Sequence, residues 1–138
     1  MKGVTDTEFE PNGTLTRAMF WTILARAGGV DTDGGATWYA KAQAWATENG
    51  VSDGTDAMGA ITREQLVTML WRLNGEPVVD YLLTAPDAAQ ISPWALEAMR
   101  WAASTGLIEG DETGALSPAA DTTRAQAAAF MVRYLTVE

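Results

Sequence analysis

Three short stretches of this chain put a cation where helix electrostatics disfavours one. "LTRAMF" begins at residue 15, "ITREQL" at residue 61 and "TTRAQA" at residue 122. In each, a threonine suited to cap a helix N-terminus is followed at once by an arginine. A cation in a first helical turn opposes the macrodipole by roughly 0.3–1 kcal/mol, so its repetition calls for a compensating anion. The N–H groups of a first turn favour negative charge, and a guanidinium beside them presents a planar fork to a carboxylate. Arg17, Arg63 and Arg124 are therefore candidate anion seats. Two sources of the anion are open: a ligand, or an internal carboxylate such as Asp31, Asp53, Asp87 or Glu109 in a structural ion pair.

Most catalytic plans are closed by composition. The chain has no Cys and no His, which removes thiol nucleophiles, zinc-thiolate sites, the usual general base and the commonest metal ligand. Lys2 and Lys41 do not stand at Ser-x-x-Lys spacing. With 18 acidic residues some carboxylate pairs are inevitable, but none lies in an apolar context that predicts a raised pKa, and Asp31-Thr-Asp33 lacks the other ligands of a calcium loop. No enzyme activity, cofactor or metal is expected. A net charge of -9 disfavours nucleic acid and anionic membrane, although six of the nine basic residues fall in the Thr-Arg segments. No apolar run reaches the roughly 18 residues that membrane insertion needs.

The elements that hold these arginines follow from an internal repeat. Aligned on Thr-Arg, the chain reads "LTRAMFWTILARAGG", "ITREQLVTMLWRLNG" and "TTRAQAAAFMVRYLT", with a second arginine nine positions on at Arg26, Arg72 and Arg133. Apolar residues at i, i+3, i+4 and i+7 make each an amphipathic helix, as with Leu66, Met69, Leu70 and Leu73. Thr62 with Gln65, and Thr123 with Gln126, have capping-box spacing, while Gly28 and Gly75 mark two ends. The second arginines fall in last turns, where a cation is favoured, and take a structural role.

Between these units lie "WYAKAQAWATENGVSDG" from residue 38 and "WALEAMRWAASTGLIEG" from residue 94, identical at six of 17 positions and in register back to Asp31 and Asp87. They predict two further helices closed by Gly50 and Gly106. Trp45 and Trp101 belong to a core stripe. Trp38 and Trp94, at the helix starts, are open to two readings, core or a platform for the apolar face of a sugar. Trp21 and Trp71 lie off their apolar stripes, as partner contacts or as packing of one repeat on the next. The class is all-α, and the connection 74–91 carries turn signals around a short apolar run.

The unit is thus Asp-x6-Trp-Ala, Trp-Ala-x3-Gly-x3-Gly, then Thr-Arg-Ala/Glu-Gln with an arginine nine residues on. This ordered set resembles S-layer homology repeats over nearly the whole chain. The resemblance implies tandem repeats forming a pseudo-threefold helical bundle, a single domain over 1–138 with a partial repeat at 1–29 and fuller ones at 30–75 and 76–138. It implies a bacterial cell-surface location and non-covalent anchoring to a cell-wall polysaccharide, commonly one bearing pyruvate ketals. It further implies inter-repeat grooves lined by Arg17, Arg63, Arg124, Trp38, Trp94, Asp31 and Asp87, with Gly54 and Gly110 supplying close-packed backbone. "WYA" at residue 38 and "AMGAITR" in the middle repeat depart from the family pattern. The first Trp-Ala helix has no counterpart before Arg17, so the chain is expected to be a segment of a longer secreted protein. An unpaired first Thr-Arg helix would leave apolar surface for a second copy to cover, giving a homodimer as the alternative role.

Overall fold

In a computed structural model, residues 13–108 and 113–137 are described, the side chains of 135–137 excepted. Gly110 and Glu109 lie outside these residues. The elements are α1 (Arg17–Ala27), α2 (Ala40–Glu48), α3 (Arg63–Leu73), α4 (Leu96–Thr105) and α5 (Arg124–Val137), with two 310 turns, Ala88–Gln90 and Pro93–Ala95. The all-α class is what the structure shows.

The caps form where the spacing predicts them. Thr16 Oγ1 accepts from Met19 N–H at 3.2 Å. Thr62 and Gln65 close a capping box, Gln65 N donating to Thr62 Oγ1 at 3.3 Å and Thr62 N to Gln65 Oε1 at 2.9 Å. Thr123 and Gln126 repeat it at 3.1 and 2.9 Å. Past α1 and α3 the chain turns through Gly29 and Gly75 at φ of 82° and 84°, a region open to glycine without strain. Arg26 and Arg72 stand in last turns as expected, bonded to Thr32 Oγ1 at 2.9 Å and to the Val51 carbonyl at 3.3 Å. Arg133 does not, because α5 continues to Val137.

Short lead-ins to the three Thr-Arg helices close a ring that the sequence does not advertise. Leu15 N donates to the Thr122 carbonyl at 2.9 Å, Thr122 N to the Ile61 carbonyl at 2.8 Å, and Ile61 N to the Leu15 carbonyl at 3.0 Å. Isolated bridges pair Thr14 with Thr123, Thr16 with Ala60, and Thr62 with Asp121 around the same circuit. Each lead-in therefore donates to one neighbour and accepts from the other, which satisfies backbone groups at the centre of the molecule. Leu15, Ile61 and Thr122 are completely buried there.

Around the ring the helices bury a continuous core that includes Phe20, Trp21, Leu24, Leu66, Leu70, Met99, Leu107 and Phe130. Full burial of one such side chain is worth about 1.5–3 kcal/mol. α1 packs on α2, and α3 packs on α4 and the Pro93–Ala95 turn. Trp21 is completely buried and is thus no partner contact, while half-buried Trp71 donates its indole N–H to the Pro77 carbonyl at 2.8 Å. The apolar face of α1 is already covered, Phe20, Leu24 and Ala25 included, so the surface expected to drive dimerisation is not open among the described residues.

Candidate functional site

The helix mouths are not the anion seats that capping logic suggests. In α1, Arg17 N donates to the Gly59 carbonyl at 3.0 Å, Ala18 N to the Ala57 carbonyl at 2.9 Å, and Met19 N to its own cap. In α3, Arg63 N and Glu64 N donate to Ala120 and Pro118 at 2.9 and 3.0 Å. Arg124 N donates to Gly13 at 3.1 Å. The lead-in of the next helix thus consumes the first-turn donors, and any outside anion must be held chiefly by side chains.

The arginines themselves reach across to the turn before the following Thr-Arg helix. Arg17 Nε donates to the Thr55 carbonyl at 3.0 Å, and Arg63 Nε donates to the Leu116 carbonyl at 2.8 Å. Both acceptors stand eight residues before the next Thr-Arg arginine. Asp56 and Ser117, each one residue further on, both adopt φ of 53°. Such left-handed backbone at a non-glycine residue is uncommon, and its recurrence marks one turn geometry built twice. With Nε committed, a carboxylate would meet Arg17 end-on, through Nη1 and Nη2.

Around Arg17 the structure gathers Gly54, Asp53, Thr55 and Gln43. Gln43 Nε2 donates to the Gly54 carbonyl at 2.8 Å. Gly54 has φ of 77°, and a Cβ there would lie 2.7 Å from Thr47 Cγ2. Gly54→Ala is accordingly expected to cost about 1–3 kcal/mol in chemical denaturation, by left-handed strain and the clash with α2. Asp53 Oδ1 accepts from Thr55 N at 3.0 Å and Thr55 Oγ1 at 2.7 Å and lies 3.6 Å from Arg17 Nη2. The Thr55 hydroxyl and amide hold the Asp53 carboxyl below its ordinary value, against an opposing effect of burial that is larger than the help given by the Arg17 charge. Any stability this group contributes is present above its unfolded-state pKa and is lost as pH falls through the lower folded value.

Around Arg63 the gathering differs. Asp87 accepts from Leu116 N on Oδ1 at 2.9 Å and from Ser117 N on Oδ2 at 2.7 Å, so it fixes the peptide whose carbonyl holds Arg63. Both oxygens face the protein's own backbone. Asp87→Ala should cost about 2–4 kcal/mol in urea unfolding, because it removes two charge-assisted bonds to a partly buried turn. Arg63 also lies over the Phe130 ring, 5.3 Å from its centroid. An open cleft of about 450 Å3 adjoins Leu116, lined among others by Tyr81, Thr84, Pro86, Gly106 and Gly114.

The remaining candidates are less alike than the repeat implies. Arg124 is buried, with Nη2 3.7 Å from the Met19 sulphur. Asp31 faces outward instead of bracing the next turn, accepting from Asp33 N at 3.0 Å with Lys41 Nζ at 3.9 Å. Trp38 and Trp94 are 52% and 51% exposed, Trp38 edge-on to Tyr39, whereas Trp101 is buried. Both exposed tryptophans precede their helices and so escape the buried stripe. Glu64 was not singled out by sequence reasoning: it is buried and accepts from Ser92 N and Ser92 Oγ, both at 3.0 Å. It thereby pins the Ser-Pro-Trp turn that carries Trp94 to the start of α3. The available signal was Glu64 itself, where the other two helices have Ala18 and Ala125.

Residues 86–128, a span that holds both Asp87 and Arg124, match the family model of the S-layer homology domain. This chain carries an S-layer homology domain. The relatives match most of this chain rather than that stretch alone. An amylopullulanase of Thermoanaerobacterium thermosulfurigenes is 31% identical over 95% of this chain and 8% of its own length. Exoglucanase XynX of Acetivibrio thermocellus is 28% identical over 95% of this chain and 14% of its own. The surface-layer 125 kDa protein of Lysinibacillus sphaericus is 29% identical over 90% and 12%. The S-layer homology segment is thus a small part of each relative. Among the described residues no helix is long and apolar enough to cross a membrane, and no group of three or more Cys, Asp or Glu could hold a metal ion.

Proposed function

We propose that this chain is a non-catalytic anchoring module that holds a bacterial surface protein to an anionic, pyruvate-bearing cell-wall polysaccharide. The observation that carries this reading is the setting of Arg63: a guanidinium tied through Nε to the carbonyl of Leu116, whose turn is braced by Asp87 and which itself lines an open cleft. An arginine oriented in advance loses less freedom when it meets a carboxylate. Trp94, half exposed and fixed through Ser92 and Glu64, supplies a flat apolar surface for a sugar ring. On this reading Arg17 with Gly54 belongs to a second groove, to which the repeat pattern assigns Trp38 and Asp31, and Arg124, which is buried, to a third. Repeats at 1–29, 30–75 and 76–138 in a pseudo-threefold bundle are supported by the cyclic order of the lead-in hydrogen bonds. Extracellular, wall-bound placement is supported by the family and by a relative named as a surface-layer protein. In relatives named as glycan-degrading enzymes, the matching segment would attach the enzyme rather than catalyse.

The test is sedimentation of the purified chain with wall polymer, native against polymer stripped of its ketals. Binding to native polymer alone supports the reading, and equal binding to both removes the anionic group from it. Self-association is a second reading, favoured by Val78 and Leu82, which are 79% and 80% exposed on the 74–91 connection. Analytical ultracentrifugation over a range of concentrations separates the two, since a strict monomer that binds polymer leaves only anchoring.

A further inference from the structure

The unit that begins at Trp94 is accompanied by two stretches that the unit beginning at Trp38 lacks. Residues 29–30 separate Gly28 from Asp31, whereas residues 76–86 separate Gly75 from Asp87. Thr55 follows Gly50 by five positions, whereas Leu116 follows Gly106 by ten. Both extra lengths of chain come to one place. Tyr81 and Pro86 from the first and Gly114 from the second line the open cleft of about 450 Å3, and Ala103 and Gly106 at the end of α4 also line it. Asp87, directly after the first stretch, accepts from Leu116 N, directly after the second, at 2.9 Å, so the two walls are tied together. Compact surface loops are commonly filled by their own side chains. Here a space of ligand size stays open between them, and Tyr81 remains 43% exposed.

We infer that this cleft is a further saccharide site, taking an uncharged pyranose unit of the wall glycan next to the unit that bears the acid. It rests on the anchoring reading above for the source of the sugar. Among the described residues that line the cleft none is charged, so nothing there attracts a carboxylate, and a neutral ring gives up no charge hydration on entry. Tyr81 and Pro86 offer apolar surface to the C–H face of a pyranose, and Tyr81 adds a hydroxyl. Gly106 ends α4 at φ of 80°, and a Cβ there would meet no atom within 4 Å, so a ring can approach bare backbone. Leu116 joins the two sites, because it lines the cleft while its carbonyl accepts from Arg63 Nε. A glycan whose acid group meets Arg63 can continue into the cleft with its next ring.

The probes are methyl glucoside, mannoside and galactoside, their 2-acetamido forms, and a 4,6-O-pyruvylated methyl hexoside. Each is titrated into the whole chain while the backbone amide and arginine Nε–H signals are followed by NMR. At least one neutral hexoside should move the Gly106 and Gly114 signals saturably, and the pyruvylated one should move the Arg63 signal. Tyr81→Ala should weaken the neutral response by about two- to tenfold, the worth of one aromatic face. Ala103→Met places a longer side chain at a lining position with little loss of helix propensity, and should abolish that response. Neither substitution should change the Arg63 response, which a general loosening of the fold would. Failure of every neutral hexoside to move the Gly106 and Gly114 signals, or neutral binding that survives both substitutions, overturns the inference alone when the Arg63 response is normal. No response at the cleft or at Arg63 to any probe overturns the anchoring reading and the inference together.

Discussion

Arg63→Ala is expected to weaken binding of a pyruvylated wall saccharide by at least tenfold. A guanidinium facing a carboxylate makes charge-assisted hydrogen bonds worth about 1.5–3 kcal/mol each, and tenfold in affinity is about 1.4 kcal/mol. The measurement should be calorimetry with a single repeating unit, because a polymer spanning several grooves would mask a local loss through avidity. The substitution also touches the fold, since Arg63 holds the Leu116 carbonyl and lies over Phe130. Arg63→Lys therefore accompanies it. Lysine keeps the charge but has neither the planar fork nor the Nε donor, so it should bind almost as weakly as alanine if geometry matters. Full binding by Arg63→Lys would reduce the site to a diffuse positive patch, and full binding by Arg63→Ala would remove Arg63 from it.

Ile61→Ala should destabilise the chain by about 2–5 kcal/mol, a large share of the 5–15 kcal/mol typical of a domain. Ile61 is completely buried, and its backbone both donates to Leu15 and accepts from Thr122 within the central ring. Alanine leaves the backbone bonds in place but opens a cavity where three lead-ins meet. Ile61→Val, with one methylene fewer, should cost about 0.5–1.5 kcal/mol. Urea unfolding followed by circular dichroism reads both. A loss below about 1 kcal/mol for alanine would mean that the ring can collapse around the gap, and that stability resides in the separate helix pairs.

The helices were legible because their signals are local. A threonine, a glutamine three residues on and apolar residues at helical spacing lie within one short window, and the caps at Thr62 and Thr123 form as that spacing predicts. The ring was not legible, because its bridges are single residue pairs without strand alternation and join segments far apart in sequence. That one omission bears on two further readings. Trp21, off the helical stripe, is open from sequence to partner contact or repeat packing, and it is completely buried in the core that forms around the ring. The first-turn N–H groups of Arg17 and Arg63 looked free because their acceptors, Gly59 and Ala120, belong to other lead-ins. The roles of Asp87 and Asp31 diverge for a similar reason: only Asp87 meets the turn at Leu116 and Ser117, a contact that no pattern of residue types encodes.

What most needs direct observation is where the acid group of the glycan sits. A crystal of this chain soaked with a 4,6-pyruvylated hexoside should show the ketal carboxylate about 3 Å from the Arg63 guanidinium nitrogens, with the Leu116 carbonyl still on Nε. A sugar bound elsewhere, with its carboxylate in solvent and the Arg63 contacts unchanged, would contradict the account.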